Sequence, residues 1–110
     1  MQKLSLEALA RELAARAATA PGGRAAETVL GGHEKVLRQT VIAMVRDAEL
    51  TEHVNPGEAS VYVLRGRVAL VAGGQSWEGR DGDLLIVPDE PHGLRALQDS
   101  VVLLTVAKLP

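Results

Sequence analysis

The 110-residue sequence contains no cysteine and no phenylalanine, and it has a single tyrosine and a single tryptophan. The absence of cysteine excludes disulfides, a thiolate nucleophile and cysteine metal ligands. Because aromatic side chains are so scarce, a core has to be built from valine, leucine, isoleucine and alanine, within an apolar fraction of 46%. Short and β-branched aliphatic side chains suit the half-buried, pleated surface of a β-sheet.

The sequence also lacks an excess of basic residues, since 12 lysines and arginines face 14 acidic residues, for a net charge of −2. Nucleic-acid binding needs a basic face, so we expect no nucleic-acid partner. No apolar run approaches the length of about 18 residues that suggests a membrane span. The first residues, Met1–Ser5, lack the apolar core of a signal peptide. We therefore expect one domain, no membrane partner and a cytoplasmic location.

An amphipathic pattern in residues 1–20 predicts an N-terminal helix. Ser5 suits the N-cap, and the Pro21-Gly22-Gly23 sequence ends the pattern. The apolar face is narrow and rich in alanine, so we expect it to lie across a sheet or a subunit partner. Its members are Leu6, Leu9, Ala10, Leu13 and Ala17.

From Arg24 onward the apolar residues alternate, and turn signals separate short runs about every 8–12 residues, which is typical of an all-β domain. The candidate strands are residues 28–30, 36–45, 49–55, 60–64, 67–71, 76–78, 84–87, 92–97 and 101–107. This pattern alone leaves a sandwich, a jelly roll and a closed barrel open.

Two stretches, Val61–Val68 and Gly82–His92, carry a resemblance to a known family, the cupin superfamily. Val61–Val68 is similar to the family's Y-V-L-x-G hairpin, and Gly82–His92 has the Gly-Asp turn, the apolar strand and the step from proline to histidine of the second cupin motif. Residues 47–96 therefore resemble a small single-domain, RmlC-like cupin. The resemblance implies a double-stranded β-helix, a cupin or jelly-roll barrel, in residues 24–110, preceded by the helix in residues 1–20.

The metal-binding positions of the resemblance are only partly filled. The first cupin motif reads roughly G-x5-H-x-H-x3-4-E, and its two histidines and glutamate usually hold one divalent metal with the histidine of the second motif. Here His53 and His92 keep two of these positions, whereas Asn55 and Ala59 occupy the others. Glu58 comes one residue early, so on a regular strand it points away from that face. A zinc site uses about three or four protein ligands, so the cofactor is expected to be none, or one divalent metal ion held by His53 and His92.

Other motif positions also differ from the family. Asp47 stands where the first motif begins with glycine, Glu90 replaces an inner glycine of the second motif, and Ala96 occupies its final asparagine position. Because side chains alternate along a strand, His92, Leu94 and Ala96 are predicted to share the inner face of theirs.

An apolar barrel with two histidines suits a small ligand pocket. We expect the polar lining to be His53, Asn55, His92 and Tyr62. The two histidines could hold a metal, act as an acid–base pair, or only form hydrogen bonds with a ligand. Trp77 and Tyr62 each suit the mouth of a pocket, and equally the core or an interface.

The main hypothesis is a cupin that binds a small molecule in its barrel, with no catalytic residue assigned. Because a fold does not select a function, two alternatives remain. One is a metal-dependent cupin enzyme, such as a dioxygenase, isomerase or decarboxylase of a small polar organic substrate. The other is a structural or interaction module. The resemblance also implies a homodimer, and strand 36–45, apolar on both faces in places, fits packing between two copies.

Overall fold

The structure is a computed structural model that describes residues 1–53 and 57–108, and for Glu52 and His53 it describes the backbone. Its elements are one helix and nine strands in this part of the chain: α1 Leu6–Ala17, β1 Arg24–Leu30, β2 Leu37–Met44, β3 Glu49–His53, β4 Gly57–Arg65, β5 Arg67–Ala72, β6 Gln75–Arg80, β7 Leu84–Ile86, β8 His92–Ala96 and β9 Ser100–Lys108. None of the helices described in these residues is long and apolar enough to cross a bilayer.

Helix α1 begins at the predicted cap. The Ser5 hydroxyl accepts a hydrogen bond from the Ala8 backbone N–H at 3.1 Å, which satisfies one of the unpaired donors of the first turn. The helix ends at Ala17 and is therefore shorter than the predicted segment of residues 1–20. Pro21–Gly23 form a short 3₁₀ turn, in which proline and glycine favour a change of chain direction over further helix.

The strands form two antiparallel sheets, with the order β1-β2-β9-β4-β7 in the first and β3-β8-β5-β6 in the second. Strands adjacent in space are often distant in sequence, as in a jelly roll. The two sheets face each other across an aliphatic core that includes Met44, Val63, Val68, Leu94 and Val102. This arrangement confirms the predicted all-β barrel with an N-terminal helix.

Helix α1 covers the outer face of the first sheet. Ala10, Leu13 and Ala17 pack there against Val41 and Ala43 of β2. Strand β2 is apolar on both faces because one face meets the core and the other meets α1 of the same chain. Contact with α1 accounts for the apolar outer face of β2 at Val41 and Ala43, and packing of this strand against a second copy stays a prediction.

The bend between β2 and β3 contains Asp47, the residue that stands at the glycine position of the first cupin motif. Its φ of 71° lies in the left-handed region that favours glycine, and aspartate is one of the residues that adopt it more readily. The Asp47 carboxylate accepts a hydrogen bond from the Arg95 guanidinium at 3.0 Å, and the Asp47 N–H donates to the Ala96 carbonyl at 2.8 Å. These contacts hold the start of β3 against the end of β8.

Candidate functional site

An irregularity in β3 determines which residue lies opposite His92. Leu50 pairs with Leu94, but His53 pairs with His92, and the register shifts by one residue between the two pairs. In a regular ladder Glu52 would occupy the position opposite His92. A β-bulge re-aims the strand that carries it, and here it brings the backbones of the two histidine positions next to each other across β3 and β8.

His92 is the first residue of β8, where its cross-strand neighbours are His53 in β3 and Ala72 in β5. Its side chain is 4% exposed. Leu94 and Ala96 are also buried in the core between the sheets, whereas Arg95 is exposed. The prediction that His92, Leu94 and Ala96 share the inner face is consistent with this alternation.

The His92 ring is oriented by the chain just before β8. Its Nδ1 lies 3.0 Å from the carbonyl oxygen of Glu90. A carbonyl oxygen only accepts hydrogen bonds, so Nδ1 carries the hydrogen and, in the neutral ring, Nε2 carries the lone pair. An imidazole held in this way can accept a hydrogen bond from a ligand, and the same second-shell contact orients histidines that bind metals.

The carboxylate positions around His92 do not complete a metal site. Ala59, at the family's glutamate position, packs against the interior cluster, and Glu58 is exposed on the other face of β4, as predicted. Among the side chains that the structure describes, in residues 1–51 and 57–108, no three from His, Cys, Asp or Glu lie close enough to share a metal ion. Of the other predicted polar residues, Asn55 lies outside the described residues, and only the backbone of His53 is described.

Tyr62 lies away from the interior. Val61 and Val63 point into the core between the sheets, so Tyr62 between them points outward, where it pairs with Leu84 of β7 and Leu103 of β9. The structure therefore does not place Tyr62 with His92, because alternation along β4 turns the tyrosine to the opposite face.

A narrow groove adjoins the His92 position, and its lining was largely missed by the sequence reasoning. It has a volume of about 100 Å³ and lies between the edge strand β6 and the segment after β7. Ala72 in this groove is the cross-strand neighbour of His92, and Glu90 supplies the carbonyl that orients the ring. Two of its lining residues had a signal in the sequence. Trp77 suited the mouth of a pocket, and Glu90 replaces an inner glycine of the second cupin motif. The groove is lined by Leu70, Ala72, Gln75, Trp77, Ile86, Pro88 and Glu90.

A larger and shallower depression of about 560 Å³ lies at the ends of β4, β7 and β9. Its walls include the outward-facing Glu58 and Ser60 and also Thr105, and no histidine belongs to its described lining. Since it shares neither His92 nor the aromatic ring of Trp77, its size alone does not make it the better candidate. The His92 position and the adjoining groove contain the imidazole and indole rings, which are better suited to bind a ligand.

Comparison with known proteins gives a consistent family assignment. The family model described as "Cupin domain" matches residues 40–107. No curated protein matches the chain. Among solved structures, a conserved protein of unknown function from Streptococcus pyogenes is similar at 25% identity and a TM-score of 0.73, over 79% of this chain and 75% of that chain.

Two further solved structures extend the comparison. An RmlC-like cupin protein from Desulfovibrio desulfuricans has 28% identity and a TM-score of 0.67, over 76% of this chain and 81% of that chain. Salicylate 1,2-dioxygenase from Pseudoaminobacter salicylatoxidans, solved with gentisate adducts, has a TM-score of 0.78 at 21% identity, over 94% of this chain but 32% of that chain. This chain therefore shares its fold with a region that makes up about a third of the dioxygenase chain.

Proposed function

Because this chain belongs to the cupin family, we propose that it binds a small organic molecule between its two sheets, at the end where His92 lies. The observation that carries this proposal is the orientation of His92. Its ring is buried, its Nδ1 hydrogen is held by the Glu90 carbonyl, and its backbone lies directly opposite that of His53. An oriented imidazole in an aliphatic surrounding is the usual composition of a small-molecule site.

In this proposal the His92 ring takes part in recognising a polar group of the ligand, and the aliphatic residues around it exclude water. Leu94 lies on the same inner face, and Ala72 is the cross-strand neighbour in β5. A ring nitrogen of an imidazole accepts a hydrogen bond when it has a lone pair and donates one when it carries a hydrogen. Both carboxylate and hydroxyl ligands therefore suit this position.

The proposal does not require a metal. A bound divalent ion would supply a Lewis acid at the histidines, but a closed site uses about three or four protein ligands. Ala59 lacks a donor at the expected carboxylate position, and Glu58 points outward. The described donors thus do not fit a complete metal site, and the binding role rests on the hydrogen-bonding capacity of His92.

The His92→Asn variant tests the role of Nε2. The asparagine amide can still donate to the Glu90 carbonyl, but it has no atom that replaces Nε2. A ligand identified by thermal shift from a panel of small organic acids, alcohols and amines should bind wild-type protein. We expect its dissociation constant to rise about tenfold in His92→Asn, equivalent to about one lost hydrogen bond. The exposed His33 provides the control, because His33→Asn should leave this binding unchanged.

Elemental analysis of protein purified without chelators distinguishes this function from the metalloenzyme alternative. We expect a metal content well below one ion per chain in wild type, His53→Ala and His92→Ala. A stoichiometric metal in wild type that disappears in both variants would replace the proposal with a metal-dependent enzyme.

We also propose that the protein forms a homodimer through the part of the first sheet that α1 leaves uncovered. On the outer face of β4 and β7, Tyr62 pairs with Leu84, and Ser60 pairs with Ile86. Tyr62, Leu84 and Ile86 are exposed, and none of these four side chains is charged. An apolar patch of this kind can pack against a copy of itself about a two-fold axis, whereas isolated exposed apolar residues would need no partner.

Charge placed in this face should separate the copies. We expect sedimentation velocity at micromolar concentration to show a dimer for wild type and a monomer for Leu84→Glu, because a buried unpaired carboxylate costs several kcal/mol. Val71→Glu, at an exposed position of β5 in the other sheet, is the matched control and should remain dimeric. A monomeric wild type, or a dimer unaffected by Leu84→Glu, would contradict this interface.

A further inference from the structure

The groove beside His92 has an unusual wall, because the only tryptophan of the chain stands 61% exposed in it. Trp77 in β6 pairs with Leu70 in β5, and Gln75 pairs with Ala72, so these four side chains line one face of the β5–β6 hairpin. Pro88 and Glu90, from the segment after β7, also line the groove. A large aromatic ring left this exposed beside a cavity has most of its surface available to a ligand.

The carboxylate of Glu90 lies beside the β5–β6 hairpin turn at the edge of this groove. A Cβ atom built on Gly73 would lie 2.6 Å from Glu90 Oε1, so the missing side chain of Gly73 leaves the space in which the carboxylate sits. The φ of Gly73 is 56°, a conformation that also favours glycine. The turn therefore contributes directly to the position of the negative charge.

The charge of the groove has one sign. Glu90 is the charged residue of its lining, and the neighbouring Asp89 adds a second negative charge nearby. The arginines of the hairpin, Arg67 and Arg80, pair with each other at the end opposite the Gly73 turn. An indole face attracts a cation most strongly among the aromatic side chains, and a carboxylate that lines the same small groove adds an attraction of the same kind.

The size of the groove limits what enters it. Its volume of about 100 Å³ is well below the roughly 300–1,000 Å³ of pockets that enclose a drug-sized ligand. This space suits a compact head group, such as a methylated ammonium, and not a whole metabolite. Leu70, Ala72 and Pro88 supply apolar surface for methyl groups, whereas a strongly hydrated metal ion would gain nothing from them.

We propose that this groove binds the ammonium group of a small organic cation, with the indole of Trp77 against its methyl or methylene groups and the Glu90 carboxylate as its counter-ion. The proposal deepens the proposed small-molecule function and rests on it, since it names the ligand class that enters beside His92. The remainder of such a ligand would extend towards the His92 ring, whose orienting carbonyl belongs to the same Glu90.

A comparison of choline with its neutral isostere 3,3-dimethylbutan-1-ol separates the effect of ligand charge on binding from the effect of ligand shape. Because Trp77 is the only tryptophan, its fluorescence reports this groove. We expect choline chloride to cause a saturable change in emission at constant ionic strength, and we expect the neutral alcohol and sodium chloride to cause none. Equal responses to choline and to the alcohol would overturn the proposal, because they would show binding without recognition of the charge.

Two pairs of variants test the position of the carboxylate. Glu90→Gln keeps the shape and removes the charge, so we expect choline affinity to fall about tenfold, whereas Asp89→Asn, outside the groove lining, should change it less than about twofold. Gly73→Ala should weaken binding about as much as Glu90→Gln because it displaces the carboxylate. Gly74→Ala in the same turn meets no atom within 4 Å and should leave binding unchanged.

The outcomes distinguish this inference from the proposed function. Choline binding that persists in His92→Asn while the ligand of the previous section is lost would support two adjoining subsites. Unchanged choline affinity in both Glu90→Gln and Gly73→Ala would overturn the ammonium site and leave the His92 proposal standing. Because Ile86 lines the groove and also belongs to the proposed dimer face, the titration is repeated with Leu84→Glu. Binding lost there would also overturn the groove as a site within one chain.

Discussion

Replacing Gly66 by alanine is expected to lower the free energy of unfolding by about 3 kcal/mol or more. Gly66 joins β4 to β5 with a φ of 98°, in the left-handed region that strains any side chain. A Cβ there would overlap the Ser100 hydroxyl oxygen and lie 2.5 Å from the Asp99 carbonyl oxygen and 2.8 Å from the Ser100 Cα. Two of these three atoms belong to the backbone, so a change of rotamer does not relieve the overlap.

Chemical denaturation followed by circular dichroism measures this loss. Gly74→Ala is the matched control, because its φ is 78° and a Cβ there meets no atom within 4 Å. The control should lose about 1–2 kcal/mol from backbone strain alone. The difference between the variants isolates the close approach of the β4–β5 turn to the start of β9. Equal losses in the two variants would show that this approach is loose.

Leu13→Ala is expected to destabilise the protein by about 3 kcal/mol, within the range for a fully buried leucine. Leu13 has 0% exposure and lies in the cluster between α1 and the outer face of the first sheet. Its neighbours there include Val41 and Val101, one on each of two adjacent strands. Removal of the isopropyl group leaves a cavity in a layer that otherwise consists mainly of alanine and valine, whose short side chains fill little of the space.

The control is Leu4→Ala, because Leu4 precedes the helix and is 48% exposed. It should change the free energy of unfolding by less than about 0.5 kcal/mol. A loss below about 1 kcal/mol for Leu13→Ala would show that α1 docks weakly on the sheet. In that case the first sheet would depend on the inter-sheet core alone, and residues 1–20 would be dispensable for folding.

Much of the fold was predictable because its signals are local. The N-cap at Ser5, the apolar stripe that contains Leu13 and the break at Pro21 act over one or two helical turns. The strand of residues 84–87 follows a Gly-Asp turn, and the hairpin at Gly66 has the family's spacing. Each of these features depends on neighbours in sequence, so periodicity and turn chemistry were sufficient to predict it.

The site was less predictable because its contacts are not local. The register shift between Leu50 and His53 follows from how β3 meets β8, and no motif in β3 itself announces it. Alternation with the buried Val61 and Val63 turns Tyr62 outward. The resemblance of Val61–Val68 to the cupin hairpin identified this strand, but it did not show which face of the sheet Tyr62 occupies. Strand β1 was predicted as residues 28–30, but it begins at Arg24. The alanines at its start have little strand propensity, and they become part of the strand because they pair with β2.

The sequence by itself determined the order of helix and strands, the cupin barrel and the two histidines that remain at the family's metal positions. Only the tertiary structure decided that α1 covers part of β2, that a bulge sets His53 opposite His92, and that Trp77 and Glu90 line the same groove. The physical reason is the range of the interactions. Turns, caps and alternation are enforced within a few residues, whereas strand register and groove walls depend on pairing between strands that are distant in the chain.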